Sequence, residues 1–218
     1  MQGCHSCRVV VVTQADGETG RNVALEYAHT GATLALIGRD PEALWLTARL
    51  AQVVGVRAAT YTVDPADAGA VERLAERVAA ELGAIDVWVN AAPGLSATAT
   101  TEREVKRLAE AAYLSTVYGT MSALKLMRQR IGGTVLQVTC AAGPGHPLRV
   151  VHHAVHQAVQ RFTTLLQSDL KRDDAEIALA VRQVVAPAPA LATAGLGGAY
   201  ATAAPAPEPA ARGLLATR

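Results

Sequence analysis

The 218-residue sequence lacks any long apolar run, and this lack excludes one class of protein. No stretch reaches the roughly 18 apolar residues that a membrane-spanning helix needs. The N-terminus also lacks a basic segment followed by an apolar signal region, because the apolar run after Arg8 is only four valines. We therefore expect a cytoplasmic protein with no membrane partner.

An excess of one charge is missing as well. The chain carries 20 Lys and Arg residues against 19 Asp and Glu residues, which gives a formal charge of +1. The basic residues are scattered, so the sequence lacks the electrostatic signature of a nucleic-acid-binding protein. With 50% hydrophobic and only 18% charged residues, the chain is long enough for one well-buried domain and too short for two.

Cysteine is scarce, with three residues in the whole chain. Cys4 and Cys7 form a C-x-x-C pair before the first predicted strand. A zinc site would need a second pair of ligands, and a thioredoxin-like motif would stand after a strand at the start of a helix. We interpret the pair as inert thiols and predict no metal site. Half of a zinc site and a redox motif are the alternatives.

What the sequence does have is a regular alternation of strand and helix patterns. Arg8–Thr13 is a β-branched run, typical of a strand buried on both faces of a parallel sheet. The predicted strands are 8–13, 32–37, 57–63, 85–90, 134–139 and 177–185; the predicted helices are 21–29, 41–53, 68–82, 102–130 (interrupted near 115–119) and 150–170. This alternation predicts an α/β fold, a three-layer doubly wound parallel sheet. From residue 186 the chain is rich in Ala, Pro and Gly, and we expect a partly disordered tail.

Several stretches, in order and at the expected spacing, resemble the short-chain dehydrogenase/reductase (SDR) family. They are VVTQADGETGRNVALEYAHTGA, LALIGRD, TVDPAD, IDVWVNAAPG, YLSTVYGTMSAL, GGTVLQVTCAAG and the helix that begins at Val150. The resemblance implies a Rossmann-like domain at 8–193, with an N-terminal extension at 1–7 and a tail at 194–218. The family's last strand has no match, so we expect a C-terminally shortened domain.

The family's cofactor loop, T-G-x-x-x-G-x-G, lies over Thr13–Gly20. Its glycines let the backbone turn sharply and approach the diphosphate of NAD or NADP. Thr13 and Gly20 match, but Gln14 and Glu18 stand at the first two glycine positions. Two unit charges at about 4 Å repel by about 4 kcal/mol at an effective dielectric constant of 20, so Glu18 is expected to weaken diphosphate binding.

Three further positions match cofactor-binding residues of the family. Arg39 follows the second strand, where the resemblance implies a preference for NADP over NAD; an exposed surface arginine is the alternative. Asp64 and Asn90 match residues near the adenine and in the family's N-N-A-G motif. Helix capping and hydrogen bonding at a strand end are the alternative interpretations of these two.

The resemblance also implies which positions carried the chemistry. Matching the motifs places the family's proton-donating tyrosine on His153, its lysine on Gln157, its serine on Cys140 and its asparagine on Ala112. Histidine can serve as a general acid, but Gln157 brings no charge and Ala112 orders no water. Four replacements, together with the altered loop, favour a homologue that has lost ordinary turnover.

The histidines of the predicted helix 150–170 allow another interpretation. His152 and His156 are one turn apart, a spacing that can hold a metal, with His153 between them. Histidines on the polar face of a helix are the simpler interpretation, and a nucleophilic pair of His153 and Cys140 lacks an orienting group.

Three functional hypotheses remain open from the sequence. The first is a non-catalytic SDR homologue that forms homo- or hetero-oligomers through helices 102–130 and 150–170. The second is an NADP-dependent oxidoreductase acting on a small carbonyl or alcohol substrate, with His153 as proton donor. The third is a nucleotide or metabolite sensor without turnover.

Overall fold

A computed structural model describes residues 8–91, 101–130, 132–141, 149–173 and 175–185. The predicted N-terminal extension with Cys4 and Cys7, and the predicted tail from residue 186, lie outside the described residues.

Six parallel strands form one sheet, as the alternating sequence pattern predicts. The strands are β1 (Val9–Val12), β2 (Thr33–Gly38), β3 (Ala58–Thr62), β4 (Ile85–Ala91), β5 (Gly133–Ala141) and β6 (Ile177–Val185). Their order across the sheet is β3-β2-β1-β4-β5-β6. The order reverses direction between β1 and β4, and in open α/β sheets ligands bind at the carboxyl ends of the strands at such a switch point.

Helices cover both faces of the sheet, which confirms the predicted doubly wound α/β class. The helices are α1 (Glu18–His29), α2 (Pro41–Val54), α3 (Ala68–Leu82), α4 (Glu102–Ala109), α5 (Ser115–Met127) and α6 (Arg149–Arg172). One core cluster joins the sheet to α1 and α2 through residues such as Val23 and Leu44. The other joins it to α3, α5 and α6 through residues such as Leu74, Leu124 and Leu170.

Element boundaries follow the capping signals closely. Asp40 and Asp67 cap α2 and α3 by accepting backbone hydrogen bonds, and Gly55 ends α2 with φ +102°. Two differences from the predicted boundaries bear on the candidate site. Helix α1 begins at Glu18 rather than at Arg21. The long helical region is interrupted at Glu110–Leu114, where a π-helical turn joins α4 to α5, and not near 115–119.

Within the described residues, every helix is too short or too polar to span a membrane.

Candidate functional site

The turn between β1 and α1 keeps its tight shape although its first glycine position is occupied by Gln14. Gln14 has φ +52°, a conformation that costs most residues strain. Its side chain is buried, and Nε2 donates to the Ala111 carbonyl at 2.8 Å and to Ser115 Oγ at 3.4 Å. Gln14 therefore ties the β1–α1 turn to the π-helical turn and the start of α5.

The structure shows directly why position 20 of this loop is a glycine. A Cβ at this position would lie 2.2 Å from the Gln14 carbonyl oxygen. Any side chain would push α1 away from the turn, so a glycine is required here for the helix to pack closely against the turn. Thr13, also buried, accepts a hydrogen bond from the Ala91 backbone N–H at 3.2 Å and joins β1 to β4.

Acidic side chains lie around the rest of this turn. Asp16 Oδ2 accepts hydrogen bonds from the backbone N–H groups of Arg39 (2.8 Å) and Asp40 (3.1 Å). Glu18 is the first residue of α1 and is exposed. The Arg39 side chain is exposed at the end of β2. The carboxyl end of β2 therefore carries both the Asp16 carboxylate and the exposed Arg39 guanidinium.

Asp64 and Asn90 make contacts within the chain. Asp64 Oδ1 accepts from the Ala66 backbone N–H at 3.0 Å, within the turn before α3. Asn90 is fully buried. Its Oδ1 accepts from Trp88 Nε1 at 2.8 Å, and its Nδ2 donates to the Thr116 carbonyl, Thr120 Oγ1 and Gln137 Oε1. These contacts match the alternative interpretations, turn capping for Asp64 and hydrogen bonding at a strand end for Asn90.

A small cavity lies where the carboxyl end of β5 meets α6 and the π-helical turn. Two of the predicted catalytic positions, Cys140 and Ala112, line it, and His153 and Gln157 do not. The lining residues are Ala112, Thr116, Val138, Thr139, Cys140, His152, Val155 and His156. This corner of the fold therefore brings together only two of the four predicted catalytic positions.

Helix α6 presents His152 and His156, rather than His153 and Gln157, to this cavity. His152 and His156 are 7% and 5% exposed. Thr139 Oγ1 lies 2.7 Å from His156 Nδ1. Burial, and secondarily the charge of the neighbouring His153, lowers the pKa of His156 below 6.5. His156 is therefore a neutral, hydrogen-bonded imidazole near neutral pH.

The predicted pair His153 and Gln157 is exposed on α6. Gln157 lines a separate open groove between α6 and β6. The inward pair has the same i, i+4 spacing as the predicted pair but is shifted by one residue, about 100° around the helix. The expectation that His152 and His156 lie on the polar face is wrong, because these histidines point into the protein. The signal for these two residues in the sequence is their i, i+4 spacing, which places them on one face of the helix.

In the described ranges, no group of three or more His, Cys, Asp or Glu side chains is arranged to hold a metal ion. The polar groups in the cavity are two imidazoles, two hydroxyls and a thiol. Such a set can exchange a proton at His156. It contains no cationic lysine to lower the pKa of a proton donor and no amide side chain at position 112.

A doubly wound sheet with a tight strand–turn–helix at its switch point defines the Rossmann class of fold. A family model described as short chain dehydrogenase matches residues 8–195, and the chain belongs to this family.

Individual relatives agree with this assignment. The chain is 34% identical over 180 residues to the dehydrogenase/reductase SDR family member 7B of Bos taurus, covering 78% of this chain and 55% of that protein. It is 33% identical over 163 residues to the D-threitol dehydrogenase of Mycolicibacterium smegmatis, covering 74% and 58%. The chain thus spans somewhat more than half the length of these curated relatives.

Solved structures share the fold. An NAD+-bound xylitol dehydrogenase superposes with a TM-score of 0.72 at 21% identity, covering 82% of this chain and 70% of that one. An SDR from Burkholderia phymatum in complex with NAD gives 0.72 at 19% identity, covering 83% and 66%.

The residues of this chain do not fit the dinucleotide that the family implies. The diphosphate would approach the N-terminus of α1, where Glu18 places a carboxylate. The amide donors beyond β2 already bind Asp16. Of the three glycine positions of the cofactor loop, only the one at Gly20 still holds a glycine.

Proposed function

We propose that this chain is a non-catalytic SDR homologue that serves as a scaffold or oligomer partner. The observation that carries the proposal is the cavity at the end of β5, whose lining includes His152, His156, Cys140 and Ala112 together with the hydroxyls of Thr116 and Thr139. Hydride transfer to a carbonyl needs a proton donor poised beside the substrate and held in a suitable ionisation state. Nothing in this set combines a hydroxyl proton donor with a neighbouring cation.

Turnover assays test the absence of catalysis. The purified chain is mixed with NADH or NADPH and simple carbonyls, and with NAD+ and the polyols D-threitol and xylitol, which relatives are named for. We expect no substrate-dependent change in absorbance of the reduced cofactor above the protein-free rate. An active polyol dehydrogenase, assayed in parallel, shows that the conditions support the reaction. Substrate-dependent turnover that persists through purification would disprove the proposal.

The contact between Thr139 and His156 favours one alternative, an NADP-dependent reductase with a histidine as proton donor. His153, which the sequence suggested for this role, is exposed, so His156 would be the donor. A reductase of this kind would lose turnover in His156→Gln and keep it in His153→Gln. A nucleotide sensor, the third hypothesis, would bind the cofactor with no turnover in either variant.

The surface of α6 supports a role in assembly. On this helix Ala154, Ala158 and Leu165 are exposed, while His152, His156 and Thr163 face inward beside Val159 and Leu170. Leu165 is 50% exposed, and Met121 on the neighbouring α5 is 55% exposed. An apolar helix face turned to solvent is typical of an interface with another chain. We therefore retain helices 102–130 and 150–170 as the proposed interface.

A further inference from the structure

We propose that the chain closes its own dinucleotide crevice with two side chains, Gln14 and Asp16. The inference rests on the proposed function, and it explains the loss of catalysis by a loss of cofactor binding in this crevice. The two side chains act at different points, one at the switch point and the other at the end of β2.

Gln14 crosses the switch point. It follows β1, and its amide donates to Ala111 and Ser115 in the helical region that follows β4. Strands β1 and β4 are the neighbours between which the strand order reverses. The crevice between the segments that follow these strands is where a doubly wound sheet binds a nucleotide. The buried Gln14 side chain spans this crevice and occupies part of its volume.

Asp16 closes the end of β2. Its carboxylate binds the Arg39 and Asp40 amides, and Asp40 in turn accepts from the Glu42 and Ala43 amides. Pro41, between them, has no N–H group. Every backbone donor from 39 to 43 is thus absent or bound to a carboxylate of the chain itself, so none is left for a ligand anion.

The adjoining backbone accommodates the Asp16 carboxylate. A Cβ at Gly38 would lie 2.5 Å from the Asp16 Cγ, so glycine makes room for the carboxylate at the end of β2. The Asp16 carboxylate also opposes the preference for NADP over NAD that Arg39 suggests. A ribose 2′-phosphate placed beside Arg39 would meet the Asp16 carboxylate, which disfavours NADP more than NAD.

Titration calorimetry with NAD+ and NADP+ tests the closure. For the wild-type chain we expect no binding up to millimolar nucleotide. In Gln14→Gly/Asp16→Ala, glycine suits the positive φ of position 14, and we expect NAD+ affinity to rise by at least about tenfold. Glu18→Gln removes a charge but leaves both closing contacts, and we expect a smaller gain. A folded double variant that binds no tighter than wild type, or a larger gain in Glu18→Gln, would overturn the inference.

Hydrogen exchange of the wild-type chain tests the same inference independently of whether the variant folds. The Arg39 and Asp40 amides should exchange slowly without any nucleotide, because Asp16 holds them. Exchange as fast as in an open loop would show that the closure does not exist. Turnover by the wild-type chain would instead refute the proposed function, so the two failures are distinguishable.

Discussion

Buried polar side chains, each with several partners, join strands β4 and β5 to helix α5. Asn90 is 1% exposed, and its amide connects Trp88 on its own strand with Thr120 on α5 and Gln137 on β5. Gln137 Nε2 donates to the same threonine hydroxyl at 2.8 Å. A buried polar group left without a partner costs about 1–3 kcal/mol, so a network of this kind is stable only when complete. The same reasoning applies to His156 and Thr139.

His156 should make stability depend on pH. Burial lowers its folded pKa below the unfolded value of 6.5, so the unfolded chain binds more protons in the range between these two values. The stability that the neutral His156 contributes is therefore fully present above pH 6.5, and it is lost as the pH falls through the folded pKa. We expect urea unfolding of the wild-type chain to show a larger loss of stability between about pH 7.5 and 5.5 than His156→Gln shows.

His29 provides the matched control, because it is an exposed histidine on α1. His29→Gln should keep the wild-type pH dependence. If His156→Gln loses as much stability as the wild-type chain over the same pH range, then His156 is not a neutral, buried imidazole in the folded chain.

At the scale of helices and strands, the sequence predicted the architecture because each element carries its own signal. The β-branched runs predicted the strands, and helix α2 is bounded by residues typical of helix ends, Asp40 and Pro41 at its start and Gly55 at its end. Helix α6 is the exception. Its buried positions are two histidines and a threonine as well as Val159 and Leu170, so hydrophobic periodicity located only part of the inward face. Tertiary pairing of His156 with Thr139 is invisible to a pattern along one segment.

Gly119 in α5 illustrates how packing overrides helix propensity. Alanine is favoured over glycine by about 1 kcal/mol in a helix interior. A Cβ at Gly119, however, would lie 2.1 Å from Asn90 Oδ1 and 2.8 Å from Trp88 Nε1. We expect Gly119→Ala to destabilise the chain by about 1–3 kcal/mol, because the buried network must shift. Thermal unfolding followed by circular dichroism measures the change.

Gly69 in α3 is the comparison for that measurement. The nearest atom to its added Cβ, apart from the helix backbone, is the end of the flexible Arg73 side chain at 3.2 Å. Gly69→Ala should leave stability unchanged or raise it by up to about 1 kcal/mol. Equal effects of the two substitutions would mean that the Asn90 network does not constrain α5.

At the scale of the whole molecule, the two faces of the sheet are covered differently. Helices α1 and α2 cover one core cluster, and α3, α5 and α6 cover the other. Exposed apolar side chains occur on both sides, including Val53 on α2 at 82% and Leu165 on α6 at 50%. Helix α2 carries more of the exposed large apolar side chains than α6: Trp45, Leu46, Leu50, Val53 and Val54 against Val150 and Leu165. Single exposed apolar residues are normal, whereas a larger exposed patch marks an interface, so α2 is the surface that competes with α5 and α6.

Assembly through α5 and α6 can be tested with Met121→Glu/Leu165→Glu. We expect the wild-type chain, at micromolar concentration, to elute with about twice the 22.6 kDa mass of one chain and the variant to elute as a monomer. Burying a carboxylate in an apolar interface costs much free energy, so the two glutamates should prevent association. In the monomer both positions are exposed, so the same substitutions should change its stability little. Size-exclusion chromatography with light scattering measures the mass. Val53→Glu, on α2, should leave the mass unchanged; if it dissociates the assembly and the double variant does not, the interface lies on the opposite face of the sheet.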